Sequence, residues 1–209
     1  MIKIENVDTY GWEAAVRGMR NPMNSWDKSD SYAWRTSPRF TVGDNDLKLM
    51  QSLAKAGDDH AKFLRMINVT ADITAPRYWW PEFDTYKVGT VANSCSTMHK
   101  LADKEFTVDD FSCEYLIKIA YEHLQKTIKI LNGYRSIYLD TKEKEIWWQM
   151  IQLLPQSYNQ KRTVQLNYQV LAHMYFARKN HKLDEWHEFC AWVEGLPYFK
   201  EIVIQGGET

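Results

Sequence analysis

Two groups of residues in this 209-residue chain have the types and spacing to hold a small anionic ligand. Ser94, Cys95, Ser96 and Thr97 form a run of small hydrogen-bonding residues just before a helical pattern. Successive backbone N–H groups and hydroxyls in such a place can cradle a phosphate or carboxylate. An ordinary helix N-cap explains the run as well. The second group lies in Lys161 to Lys179, expected as one helix, where Arg162, Gln165, Asn167, Gln169, His173 and Arg178 interrupt an apolar pattern. Asn167 and Arg178 are eleven positions, or three turns, apart, so on a continuous helix both point into one cleft. A solvated polar face accounts for the same charges.

Other chemistries lack their usual sequence support. The six histidines have no HExxH spacing, and His181 and His187 fall on different sides of a helix, so no metal site is expected. GxSxG, GxxxxGK[ST] and GxGxxG are all absent. Cys95, Cys113 and Cys190 are odd in number, widely spaced and without a CxxC pair. They point to a reducing compartment, the cytoplasm, and not to a disulfide framework. A nucleophilic thiol needs a neighbouring base, which the sequence does not give Cys95; it reads as a small polar residue.

The 26 basic and 27 acidic residues leave a formal charge of -1, which argues against broad binding to a nucleic acid and leaves room for a local anion pocket. No apolar run approaches a membrane span, and the acidic, alternating start is unlike a signal peptide. Aromatic residues make up 14% of the chain, including Trp79-Trp80 and Trp147-Trp148, as a large-residue core or a subunit interface requires.

The elements that must position these residues are expected as a single α+β domain, with a small antiparallel sheet packed against helices. Met1 to Val7 alternates as a strand, and Tyr10 to Met19 has helical spacing. Asn21 to Pro38 reads as a long polar loop. Asp44 caps a helix that Gly57 ends, and a strand after His60 closes at Pro76. Residues 77–101 read as a binding loop. Helices follow over Val108 to Leu131, Lys142 to Leu154, Lys161 to Lys179 and Asp184 to Glu194.

Order and spacing over Met1 to Trp192 resemble the flavin-dependent thymidylate synthases. DNDLKLMQSLAKAGDDH is similar to the family's helix that leads to an obligatory histidine, here His60. Counting on through Pro76, the family signature QWxRHRxxSxNxxSxRY falls on EFDTYKVGTVANSCSTM, Glu82 to Met98. The Gln becomes Glu82, the Arg-His-Arg core becomes Thr85, Tyr86 and Lys87, and the second Ser becomes Cys95. The Leu-Pro, Asn and Arg pattern falls on Leu154-Pro155, Asn167 and Arg178, while the family Arg two residues after the Asn is Gln169 here.

The resemblance implies a homotetramer that binds FAD and a small-molecule nucleotide. Its reaction moves a one-carbon unit from methylenetetrahydrofolate to deoxyuridine monophosphate, with NADPH as hydride donor. It assigns flavin contacts to His60, Thr85, Tyr86, Lys87, Asn167 and His173. It assigns nucleotide contacts to Glu82, Ser94, Cys95, Ser96, Gln169 and Arg178, with Arg178 polarising the pyrimidine. Arg65, Arg77, Arg35 and Arg39 are among the cations that can replace the lost signature arginines, Arg77 first because rings flank it. A changed substrate, and a non-catalytic relative that keeps only the fold, are the alternatives.

Overall fold

The computed structural model describes residues 2–33 and 40–205. Arg35, Arg39 and Gly206-Gly207 lie outside the described residues, as does part of the loop expected over Asn21 to Pro38. Four strands form one sheet in the order β1-β4-β6-β5: β1 Lys3–Tyr10, β4 Asn68–Pro76, β5 Val91–Ser94 and β6 Asn159–Asn167. A separate antiparallel pair joins β2, Tyr32–Ala33, to β3, Phe40–Thr41. The helices are α1 Trp12–Arg20, α2 Asp44–Lys55, the short α3 Trp80–Phe83 and α4 Thr97–Lys100, α5 Lys118–Thr141, α6 Lys144–Leu153, α7 Tyr168–Arg178 and α8 Asp184–Glu194. This is the expected α+β class: a small antiparallel sheet with helices packed on it.

Alternation explains the central strand. Along β4 the odd positions Val69, Ala71, Ile73 and Ala75 are all buried, as a period of two on a covered face requires. Contacts gather into two compact units. The first comprises Met1–Ile4, Asp72–Thr85 and Ala92–Thr163. Its core packs α5 and α6 around Leu131 and Met150, with Phe106 and Phe111 beside them. The second comprises Glu5–Ala71, Tyr86–Val91 and Val164–Thr209, and packs α7 against α8 and α1 against the turn Lys62–Arg65. Trp12 of α1 meets Tyr168 of α7 edge to face at 5.3 Å.

Three expectations need correction. The helix expected from Lys161 to Lys179 is two elements: β6 runs to Asn167, and only α7 is helical. Val164 and Leu166 are buried while Thr163 and Gln165 are exposed, so period two wins over period 3.6 in that half. The helix expected over Val108 to Leu131 starts at Lys118 and continues to Thr141, through Asn132 and Gly133. Asn132 does not break it because its side chain is engaged elsewhere, accepting from the Phe106 N–H at 2.8 Å and donating to the Phe106 carbonyl at 2.9 Å. The stretch expected as one loop after Pro76 contains β5, α3 and α4.

The second unit is held by a buried charge. Arg20 and Asp46, 4% and 0% exposed, pair at 2.6 Å and tie α1 to α2. The other carboxylate oxygen accepts from the hydroxyls of Ser29 and Ser31, both at 2.6 Å, and from the backbone of Asp30 and Ser31. Burial pushes the Asp46 carboxyl up, but the two hydroxyls and Arg20 together hold it below the ordinary carboxylate value.

Asp46→Asn leaves Arg20 buried without a counter-charge, a loss of about 3–5 kcal/mol. Thermal denaturation followed by circular dichroism should show a Tm lower by ~6–20 °C at pH 7. Because the folded carboxyl titrates below its unfolded value near ~3.9, its contribution is complete above that pH and fades as pH falls through the folded value. The gap between wild type and variant should therefore close towards pH 2. A shift under ~2 °C at pH 7 would show that the pair does not hold the unit.

Candidate functional site

In the second unit, the segment Tyr86–Val91 lies along α7. Arg178, the last residue of α7, donates from Nε to the Tyr86 hydroxyl at 2.9 Å. Its guanidinium stands 4.9 Å from the Trp186 ring of α8 and 5.6 Å from the Tyr86 ring. A guanidinium between two rings keeps its charge while its motion is restricted. At the other end of α7, Asn167 is the N-cap, its side-chain oxygen accepting from the Val170 N–H at 3.0 Å. A Cβ at Gly89, where φ is +77°, would stand 2.4 Å from the Asn167 amide nitrogen. Gly89 is therefore required both by its left-handed backbone and by the close approach of Asn167.

The remaining candidates of this unit line the same helix or the turn before β4. Gln169 is buried, and its Oε1 accepts from Nε of Arg65. His173, one turn on, meets Asp58 at 3.1 Å, with both side chains more than half exposed. His60 is exposed and its N–H closes a turn onto the Gly57 carbonyl at 2.9 Å. Lys87 is exposed. Two buried polar atoms have no hydrogen-bond partner among the described residues here: Thr90 Oγ1 and Gln169 Nε2.

In the first unit, Glu82 is half-buried on α3, and the Thr85 hydroxyl donates to the Glu82 carbonyl at 2.7 Å. Ser94 ends β5 and is exposed. Cys95 is exposed, but its N–H donates to the Lys161 carbonyl at 2.9 Å and its carbonyl accepts from Gln160 at 2.9 Å. Ser96 uses its hydroxyl oxygen to cap α4, accepting from the His99 N–H at 3.1 Å. The serine run thus behaves as the ordinary cap, with the Cys95 N–H already used by the sheet. Arg162 sits on β6, stacked 4.1 Å over Trp80 and paired with Asp84 at 2.8 Å. Arg77 is half-buried, its backbone N–H donating to the Tyr158 carbonyl at 3.0 Å.

The eleven-residue spacing pairs Asn167 with Arg178, and both do face the segment 86–91, though one caps the helix that the other ends. The contacts of Trp186 and Gly89 and the tie between Arg65 and Gln169 are not marked by the spacing. The lone glycine in a polar loop was the available signal for Gly89. Nothing in the spacing marks Trp186 as a partner of Arg178. Among the described residues, no group of three His, Cys, Asp or Glu side chains could hold a metal, and no helix is long and apolar enough to cross a membrane.

Gly89→Ala forces an unfavourable backbone angle and pushes Asn167 off its cap, which together cost about 2–4 kcal/mol. In urea denaturation, Asn167→Ala should lose about 1–2 kcal/mol alone, and the double variant less than the two losses added. Strict additivity would show that the two residues do not touch.

No family model and no curated protein matches this sequence. Solved structures do. Thymidylate synthase X (ThyX) from Helicobacter pylori with FAD and dUMP is 15% identical, covers 100% of both chains and superposes with a TM-score of 0.71. A second structure, flavin-dependent thymidylate synthase from the same organism complexed with FAD and dUMP, is also 15% identical, covers 99% of this chain and 100% of the other, and gives 0.70. At that identity the likeness establishes the fold: this chain has the fold of the flavin-dependent thymidylate synthases.

Proposed function

We propose that this chain is a divergent flavin-dependent thymidylate synthase-like enzyme. In this reading it binds FAD and a deoxyuridine monophosphate-type nucleotide and transfers a one-carbon unit from methylenetetrahydrofolate, with NADPH supplying hydride. The observation that carries the reading is the meeting of residues 86–91 with both ends of α7, through Tyr86 with Arg178 and Gly89 with Asn167. These are the signature-like loop and the Asn and Arg motif, far apart in sequence.

The polar groups present suit a planar heterocycle. The buried Gln169 amide and Thr90 hydroxyl, each without a partner among the described residues, can satisfy the carbonyl and ring-nitrogen edge of a flavin or a pyrimidine. Tyr86 accepts from Arg178 and keeps its own hydroxyl proton to donate. When bound, a flavin supplies the redox chemistry and the relay of the one-carbon unit. In this reading the flavin contacts are those the family resemblance assigns, His60, Thr85, Tyr86, Lys87, Asn167 and His173, and the nucleotide contacts are Glu82, Ser94, Cys95, Ser96, Gln169 and Arg178. Arg178, already immobilised between rings, would hold positive charge against the pyrimidine as negative charge develops there, with little reorganisation.

The exposed apolar side chains Ile117 and Ile119, 73% and 77% exposed beside Leu116, support a homo-oligomer that covers them. A non-catalytic or re-purposed relative is favoured by one observation: the hydroxyl of Thr85, the N–H of Cys95 and the cap of Ser96 are all used within the chain.

Purified protein should show flavin absorbance bands, and dUMP at about a hundredfold its Kd should stabilise it by ~2.7 kcal/mol in thermal denaturation. Arg178→Ala should retain the bands and lose the dUMP shift. Product analysis with methylenetetrahydrofolate and NADPH separates one-carbon transfer from a changed reaction. Colourless protein unmoved by dUMP would favour the non-catalytic relative.

A further inference from the structure

Arg65 closes the turn Lys62–Arg65, which packs against α7. Its Nε donates to the Oε1 of Gln169, in the first turn of that helix. Gln169 is 6% exposed, and its Nε2 is a buried donor with no partner among the described residues. Arg65 itself is exposed, and its only hydrogen bond among the described residues is the one through Nε. A guanidinium anchored through Nε by a buried amide keeps both Nη groups in one plane, the arrangement that grips a phosphate or carboxylate with two parallel bonds. Gln169 Nε2 adds a neutral donor, and the first turn of α7 adds its positive dipole end. Asp58, the carboxylate that meets this face of α7, is held by His173, and Arg65 has no carboxylate partner among the described residues.

We propose that Arg65 and Gln169 form a phosphate-binding element, with Arg65 as the charged grip and Gln169 as the residue that positions it. The group bound is the phosphate of a nucleotide monophosphate or the diphosphate of a dinucleotide. The identity of that ligand rests on the nucleotide reading above, whereas the phosphate chemistry rests on the Arg65 and Gln169 geometry. Lys87 is the only cation between Glu82 and Ser96, so a phosphate needs charge from another element as well.

Isothermal titration with inorganic pyrophosphate at low and raised ionic strength tests this directly. Wild type should bind, more weakly in salt, and Arg65→Ala should weaken binding by about 10-fold or more. Arg65→Lys, which keeps the charge and loses the Nε anchor, should fall between them. Gln169→Leu should weaken binding too, with its fold checked by circular dichroism, and Lys126→Ala on α5 should change nothing. Titrations of dUMP against deoxyuridine, and of FAD against riboflavin, identify which phosphate Arg65 serves. Absent pyrophosphate binding, or unchanged affinity in Arg65→Ala, overturns the proposal. Pyrophosphate binding through Arg65 without affinity for FAD or dUMP would keep the element and remove the thymidylate synthase reading. FAD and dUMP binding indifferent to Arg65 would do the reverse.

Discussion

The candidate site depends on one constraint, the length of α7. Its 11 residues, at about 1.5 Å each, hold Asn167 and Arg178 ~16 Å apart. The loop that meets both ends does so with Gly89 and Tyr86, which an extended chain separates by at most ~10 Å. The backbone alone cannot cover the helix, so long side chains must bridge the remainder. Tyr86 and Arg178 have that reach, and their hydrogen bond closes the gap. At the other end the requirement is reversed: the backbone comes so near to Asn167 that only glycine fits. A bulky pair at one end and a missing side chain at the other answer the same geometry.

Charge is distributed to match. Arg162 is stacked on Trp80 and paired with Asp84, and Arg20 is locked to Asp46, so neither guanidinium is available to a ligand without breaking a structural contact. Arg178 is restrained by two rings and donates to the Tyr86 hydroxyl. Arg65 is held by a neutral amide. Arg65 differs in this from Arg20 and Arg162, because a neutral partner orients a guanidinium and leaves its field intact.

The sequence made some of this legible for identifiable reasons. The span of α8 from Asp184 to Glu194 is legible because Gly195 and Pro197 mark its end, and β4 is legible from its alternation up to Pro76. The spacing of Asn167 and Arg178 pairs them, although β6 ends at Asn167 and only α7 is helical. Polar residues at 162, 165 and 167 mimic a helical face, whereas their strand alternation becomes clear only when Val164 and Leu166 are seen to be buried. The contacts of Trp186, Gly89 and Arg65 are tertiary, between segments tens of residues apart, and no local period encodes them.

The unsatisfied groups carry the argument one step further. A folded protein seldom leaves a buried amide N–H or hydroxyl without a partner, because each costs about 1–3 kcal/mol. In the second unit two such atoms are Thr90 Oγ1, in the segment Tyr86–Val91, and Gln169 Nε2, on α7, which that segment meets. At its structural tethers the chain satisfies such groups: Asn132 closes both of its bonds on Phe106, and both Asp46 oxygens are engaged, one by Arg20 and the other by four donors, while in the first unit the buried Trp79 Nε1 has no hydrogen-bond partner among the described residues. On the reading proposed above, the open groups at Thr90 and Gln169 are where a bound molecule with acceptors of its own would make its hydrogen bonds. A flat heterocycle with carbonyl oxygens and an attached phosphate has such acceptors, and it needs a fixed cation more than a flexible one.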